Sequence, residues 1–220
     1  MLASEIEKAR HNMIEQQVRP CEIIDERALS ALKSVPRERF TEEPYRALAF
    51  ADTHLPLLNG EVMMTPIQEG LMLQALAVQP GERVLEVGTG SGFVTACLAY
   101  LGGDVTSYEI DPQISQRAGE RLQAMNIQGV DLKVGDIFST ALHDAYYDVV
   151  AVTGSVPDRV EKFERLLAPG GRLCLVEGED PVMSVILTTR GNDGSLKRQA
   201  LAETSLPPLR NAPTPEKFVF

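Results

Sequence analysis

The sequence predicts an α/β fold, a doubly wound and mostly parallel sheet of seven strands preceded by a helical extension. Two observations carry this. From Pro80 onward, short apolar runs alternate with amphipathic stretches in a strand, turn, helix rhythm, and a glycine-rich turn at 88–92 separates the first strand from its helix. Residues 1–78 lack that rhythm and carry helical patterns between turn signals, so they are expected to pack as an extension on a core formed by 79–220.

Taken in order, the first ten residues are charged and helical rather than a leader peptide. Asp25 is placed to cap a helix carrying Ala28, Leu29, Ala31, Leu32 and Val35, with Pro36 ending it. Residues 55–64 read as loop and short extended pieces. Pro66 suits the first turn of a helix over 66–77, with Leu71, Leu73 and Leu76 among its apolar positions. Strands follow at 83–87, 105–110, 130–134, 147–152, 172–177 and 182–189, with more strand material toward the C-terminus. Helices fall between them: one through Thr95, Ala96, Leu98 and Leu101, one over 112–125, and one over 157–167 ending near Pro169-Gly170-Gly171. Leu206-Pro207-Pro208-Leu209 reads as a loop and Phe218-Val219-Phe220 as a terminal strand.

Composition narrows the function. The 220 residues are 44% hydrophobic, enough for one α/β domain. The net charge of −10, with no basic run, argues against a nucleic-acid partner. Cys21, Cys97 and Cys174 are far apart and show no metal-ligand spacing; the last two sit in apolar stretches and read as buried hydrophobes. No apolar run approaches the roughly 18 residues of a membrane span, so a cytoplasmic location without a membrane partner is expected. His11, His54 and His143 are scattered and read as surface or satisfied residues, His54 being closest to a functional segment.

The informative segment is Glu86-Val87-Gly88-Thr89-Gly90-Ser91-Gly92. Glycine at a strand–helix turn lets the backbone bend sharply and approach a ligand closely. A dinucleotide site would favour G-x-G-x-x-G with a pyrophosphate at the helix N-terminus. Here the spacing is G-x-G-x-G after an acid, Glu86, which suits a ligand bearing an ammonium and a sulfonium. Glu109 ends the second strand about 20 residues beyond Gly88, the separation of a ribose-binding acid. Asp136, after the third strand, can accept from an adenine amino group, and Ile137 can cover the ring. Together these favour S-adenosyl-L-methionine, with S-adenosyl-L-homocysteine as product.

The residues from Val84 to Ala96 resemble the cofactor loop of the protein-L-isoaspartate O-methyltransferase family. The resemblance extends to Met13-Ile14-Glu15-Gln16-Gln17-Val18, Asp25-Glu26-Arg27-Ala28-Leu29, Val35-Pro36-Arg37-Glu38-Arg39-Phe40 and the 49–66 segment with Asp52 and Leu55-Pro56-Leu57. It continues through 148–153 and 167–173 and fades after about residue 177. It implies a Rossmann-like methyltransferase fold, a substrate-side loop before Pro66, and methyl transfer to the carboxylate of an isoaspartyl residue in a damaged protein or peptide. It also implies cofactor contacts at Gly88, Glu109, Asp136 and the loop from Glu61 to Met64. The family's Gly-Gln-Thr-Ile-Ser-x-Pro stands here as Gly60-Glu61-Val62-Met63-Met64-Thr65-Pro66, so Met64 takes the place of the active-site serine, and the family's Asp-Gly is Asp136-Ile137.

These readings nominate Met63, Met64, Glu86, Gly88, Gly90, Gly92, Glu109, Asp136, Ile137 and Thr153 as cofactor-binding. Thr65 is nominated as the hydroxyl that orients a carboxylate acceptor, or as a helix cap. Thr153 and Ser155 fall where substrate would meet the methyl group. An ionised carboxylate needs no general base, and no His–Asp pair is placed to serve as one. Three readings stay open: an isoaspartyl carboxyl methyltransferase, a methyltransferase for another acceptor such as a small acid, and a non-catalytic cofactor-binding protein. A monomer or weak homodimer is expected.

Overall fold

The computed structural model describes residues 3–214, so the strand expected at 218–220 lies outside the described residues. Seven strands form one sheet in the order β3-β2-β1-β4-β5-β6-β7. They are β1 (Arg83–Val87), β2 (Asp104–Glu109), β3 (Val130–Val134), β4 (Tyr147–Val156), β5 (Leu167–Glu179), β6 (Val182–Arg190) and β7 (Leu196–Glu203). Neighbours from β3 to β5 run parallel, and β6 and β7 fold back antiparallel. The chain winds outward from β1 to β3 and returns beside β1 as β4. The crevice at the carboxyl ends of β1 and β4 is therefore the topological switch point, where α/β sheets bind ligands.

The helices are α1 (Ala3–Met13), α2 (Glu26–Ser34), α3 (Pro66–Leu76), α4 (Phe93–Tyr100), α5 (Pro112–Ala124) and α6 (Glu161–Leu166). Asp25 caps α2 through Ala28 N at 2.8 Å, as its position before the apolar run predicts. Asp111 caps α5 by accepting from Gln113 N and Ile114 N. The helix expected over 157–167 is shorter, because β4 runs on to Val156 and Val160 is still extended (φ −110°, ψ 93°).

Strand side chains alternate between two apolar layers. Val84, Val149, Ala151, Cys174 and Val176 pack with residues of α2, α3 and α4, while Leu85, Val87, Val150, Val152 and Leu175 pack with Phe163 and Leu166 of α6. The first layer also takes Met13, Ile14, Leu29, Leu32 and Met72, so the N-terminal helices share the core of the sheet. Arg37 is buried in it, paired bidentately with Glu69 and donating to the carbonyls of Ala49 and Met64. No helix among the described residues is long and apolar enough to cross a membrane.

Candidate functional site

The turn after β1 builds the floor of the crevice. Gly88 has φ +91° and Gly90 φ +52°, left-handed values that suit glycine. Beneath Gly88, Thr153 Oγ1 donates to the carbonyls of Val87 and Gly88. A β-carbon on Gly88 would come within 2.5 Å of that hydroxyl, so the position admits glycine alone.

Glu109, at the end of β2, has both carboxylate oxygens engaged by backbone: Gly90 N donates to Oε2 (2.9 Å) and Asp111 N to Oε1 (3.0 Å). Those bonds fix its orientation and leave lone pairs toward the crevice. Burial pushes its carboxyl above the usual range against the pull of the two N–H donors. After β3, Asp136 Oδ1 accepts from Phe138 N (2.8 Å) and Oδ2 from the side-chain amide of Asn211 (2.9 Å). Ile137 is buried beside it.

These residues line one open cleft: Gly88, Gly90, Glu109, Asp136, Ile137 and Thr153. Its opposite wall is the C-terminal segment 206–210, which is pinned to β4 by Ser155 N donating to Pro207 O and Leu209 N to Ser155 O. Arg210 reaches over the mouth to Glu61 (2.6 Å) and Asp111 (3.5 Å), and Asn59 donates to Asp111 at 2.6 Å. Among the described residues Arg210 is the one basic side chain lining the cleft, against Glu61, Glu109 and Asp136. A smaller cavity adjoins it, sharing Val62, Gly88, Gly90 and Thr153, and is lined further by Met63, Met64, Glu69, Ser91 and Val94.

Four nominated residues stand elsewhere. Glu86 is fully buried and lines neither space; Thr95 and Ser107 hydroxyls donate to its Oε2 at 2.5 Å each. This corrects the expectation that its carboxylate faces a positive ligand. The two-residue period of β1 puts Glu86 with Val84 on the α4 side of the sheet, between strand and helix. Gly92 lines neither space either: a β-carbon there would lie 3.2 Å from Ala118 Cβ, so this glycine lets α4 pack against α5. Thr65 is the N-cap of α3 in a capping box with Gln68, and its hydroxyl accepts from Gln68 N rather than facing the cavities. Ser155 is buried and borders a separate groove on the far side of segment 206–209. His54 has Nδ1 2.9 Å from Met63 O and Nε2 3.2 Å from Ser205 O, and either neutral tautomer donates to one of these carbonyls.

Sequence reading missed Asn59, Asp111 and Arg210 at the mouth. Asp111 before Pro112 carries a cap signal, but nothing local marks Arg210, which lies about 100 residues from the carboxylate it reaches at Asp111. Among the described residues no cluster of side chains suits a metal ion.

A family model described as Protein-L-isoaspartate(D-aspartate) O-methyltransferase matches residues 8–212. The chain is 35% identical over 205 residues to Protein-L-isoaspartate O-methyltransferase 2 of an Anaeromyxobacter species, covering 93% of this chain and 84% of that one. It is 33% identical to the Protein-L-isoaspartate O-methyltransferase of Gloeobacter violaceus, covering 91% and 98%. Among solved structures, a Plasmodium falciparum protein described as a protein-L-isoaspartate O-methyltransferase, in complex with S-adenosyl-L-homocysteine, superposes with a TM-score of 0.79 over 93% of this chain and 97% of its own. At 20% identity that likeness speaks for the fold.

Proposed function

The chain belongs to the protein-L-isoaspartate(D-aspartate) O-methyltransferase family, and from that premise we propose that it transfers a methyl group from S-adenosyl-L-methionine to the free carboxylate of isoaspartyl residues in proteins. The observation that carries this reading is the convergence of the Gly88–Gly90 turn, Glu109 and Asp136 on one cleft at the switch point. A pyrophosphate fits poorly among Glu61, Glu109 and Asp136, whereas a ligand with a ribose diol, an adenine amine and a positive end is matched. In this reading Glu109 accepts from the ribose hydroxyls and Asp136 from the adenine amino group. Ile137 covers the ring, and the Gly88 and Gly90 backbone lies against the amino-acid end. Glu86 then acts indirectly, bracing the turn through Ser107, whose hydroxyl meets that of Thr89 at 2.6 Å.

When bound, the cofactor supplies an electrophilic methyl group on a positively charged sulfur. The chain's own residues align and desolvate. Met63, Met64, Val62 and Val94 give the smaller cavity one apolar side, facing Glu69, Thr89, Ser91 and Thr153. Attack of a carboxylate on a sulfonium cancels two charges, so an environment poorer than water in dielectric favours the transfer. No side chain has to remove a proton, and His54 lines neither the cleft nor the smaller cavity.

Met64, standing where the resemblance places a serine, favours a second reading: the same scaffold serving another carboxylate, such as a small acid. It is 5% exposed and brings no hydroxyl to the cavity, while that of Thr65 serves the helix cap. The three free thiols agree with a reducing, cytoplasmic compartment.

Labelled methyl transfer to a peptide with one isoaspartyl residue, against the same peptide with ordinary aspartate, tests the proposal. Base-labile label on the isoaspartyl peptide alone is expected. Cofactor binding without label on either peptide would overturn it in favour of another acceptor.

A further inference from the structure

We propose that Lys162, in α6, is a positioning residue for the adenine end of the cleft. Its Nζ donates to three carbonyls of the segment after Asp136: Ile137 O at 2.6 Å, Phe138 O at 3.2 Å and Thr140 O at 2.7 Å. An ammonium has three donors, and all are spent on this one turn. On its other side the turn is wound on Asp136, whose main-chain carbonyl accepts from Ser139 N and Thr140 N and whose Oδ1 accepts from Phe138 N. The segment that carries Asp136 and Ile137 is thus held from within by Asp136 and from outside by Lys162.

Three carbonyl dipoles converging on one point repel one another unless a cation sits among them. Removing the ammonium leaves those oxygens unanswered in a partly buried place, and the turn relaxes by moving them apart. Ile137 is displaced first, because its own carbonyl makes the shortest of the three bonds. Lys162 does not line the cleft and acts only through this turn. Burial lowers its pKa, with Arg165 adding to the fall and the Asp136 carboxylate opposing it. The inference rests on the reading that Asp136 and Ile137 face adenine.

The test uses the full chain with Lys162→Met, and calorimetric titration with S-adenosyl-L-homocysteine and with adenosine alone. Affinity for both is expected to fall about tenfold, with KM for the methyl donor rising in step and kcat at saturation within twofold. A merely structural lysine would lower the melting temperature and leave these affinities in place. Lys162→Cys in a Cys21→Ser background provides a control independent of folding, since Cys97 and Cys174 are buried. Treating the folded variant with 2-bromoethylamine rebuilds an ammonium at lysine's reach and is expected to restore affinity. Unchanged affinity in Lys162→Met, or no gain on alkylation, overturns this inference while wild-type binding stands. A wild-type chain that binds no S-adenosyl-L-homocysteine overturns the cofactor reading and this inference with it.

Discussion

Thr153 Oγ1 stands where a side chain on Gly88 would have to begin: an added β-carbon would lie 2.5 Å from it. The hydroxyl is held there by donating to the carbonyls of Val87 and Gly88, which ties the end of β1 to β4. The strand junction and the floor of the cleft are therefore one construction, and changing either residue disturbs both.

Gly88→Ala is expected to abolish measurable cofactor binding and to lower stability. The left-handed backbone alone costs about 1–3 kcal/mol for a residue with a β-carbon. Adding Thr153→Ala removes the contact and not the dihedral strain, so the double variant should recover part of the lost melting temperature. Wild-type calorimetry from Gly88→Ala would show that the turn does not approach the ligand.

Glu109→Gln replaces a carboxylate whose two oxygens already accept from Gly90 N and Asp111 N. Each charge-assisted hydrogen bond lost is worth roughly 1.5–3 kcal/mol. Affinity for donor and product alike should drop about 10- to 100-fold. A loss confined to the methyl donor would place Glu109 near the sulfonium instead of the ribose.

Met64→Ser puts a hydroxyl on the wall of the smaller cavity. Methylation of the isoaspartyl peptide is expected to rise several-fold with cofactor affinity unchanged, at the cost of a lower melting temperature from the buried side chain removed. An unaltered rate, measured by labelled methyl release, would mean that the acceptor is oriented by other donors.

Glu86 carries a pH signature. Burial pushes its carboxyl from 4.5 up to about 7, against the hydrogen bonds from Ser107 and Thr95, with Glu109 adding to the rise. A folded-state pKa above the unfolded one favours folding while the group is protonated. That contribution is full below about 4.5 and is lost as pH rises through about 7. Glu86→Gln should flatten the fall in melting temperature between these values, and a slope equal to wild type would show that Glu86 titrates normally.

Arg37 and Glu69 form an ion pair with side chains 0% and 1% exposed. Removing one partner of such a pair costs about 3–5 kcal/mol. Arg37→Met also releases the carbonyl of Met64, so a fall in melting temperature of roughly 6–20 °C is expected. A shift under about 2 °C in a thermal melt would show that water reaches Glu69.

Much of the fold is legible because its signals are local. The bounds of β1 and β3 follow from short apolar runs, Asp25 marks a helix start through a bond to Ala28 N, Pro66 marks another through its fixed φ at the first helical position, and the Gly88–Gly90 turn is marked by its own composition. The places of Glu109 and Asp136 in the cleft lining were readable for the same reason, one at the end of β2 and the other two residues beyond β3. Glu86 resembles them in type and neighbourhood, yet strand alternation and α4 turn it into the core.

What the sequence by itself determined is therefore the order of elements, the glycine turn and the acids at the strand ends, since backbone preference and hydrophobic period act over a few residues. Tertiary structure alone decided that segment 206–210 walls the cleft, that Arg210 meets Glu61 and Asp111, and that Lys162 gathers the carbonyls of Ile137, Phe138 and Thr140. Those contacts join residues tens to about 150 positions apart in the chain. They exist only once the sheet has closed, because no residue's immediate neighbours record which distant charge or carbonyl will lie within its reach.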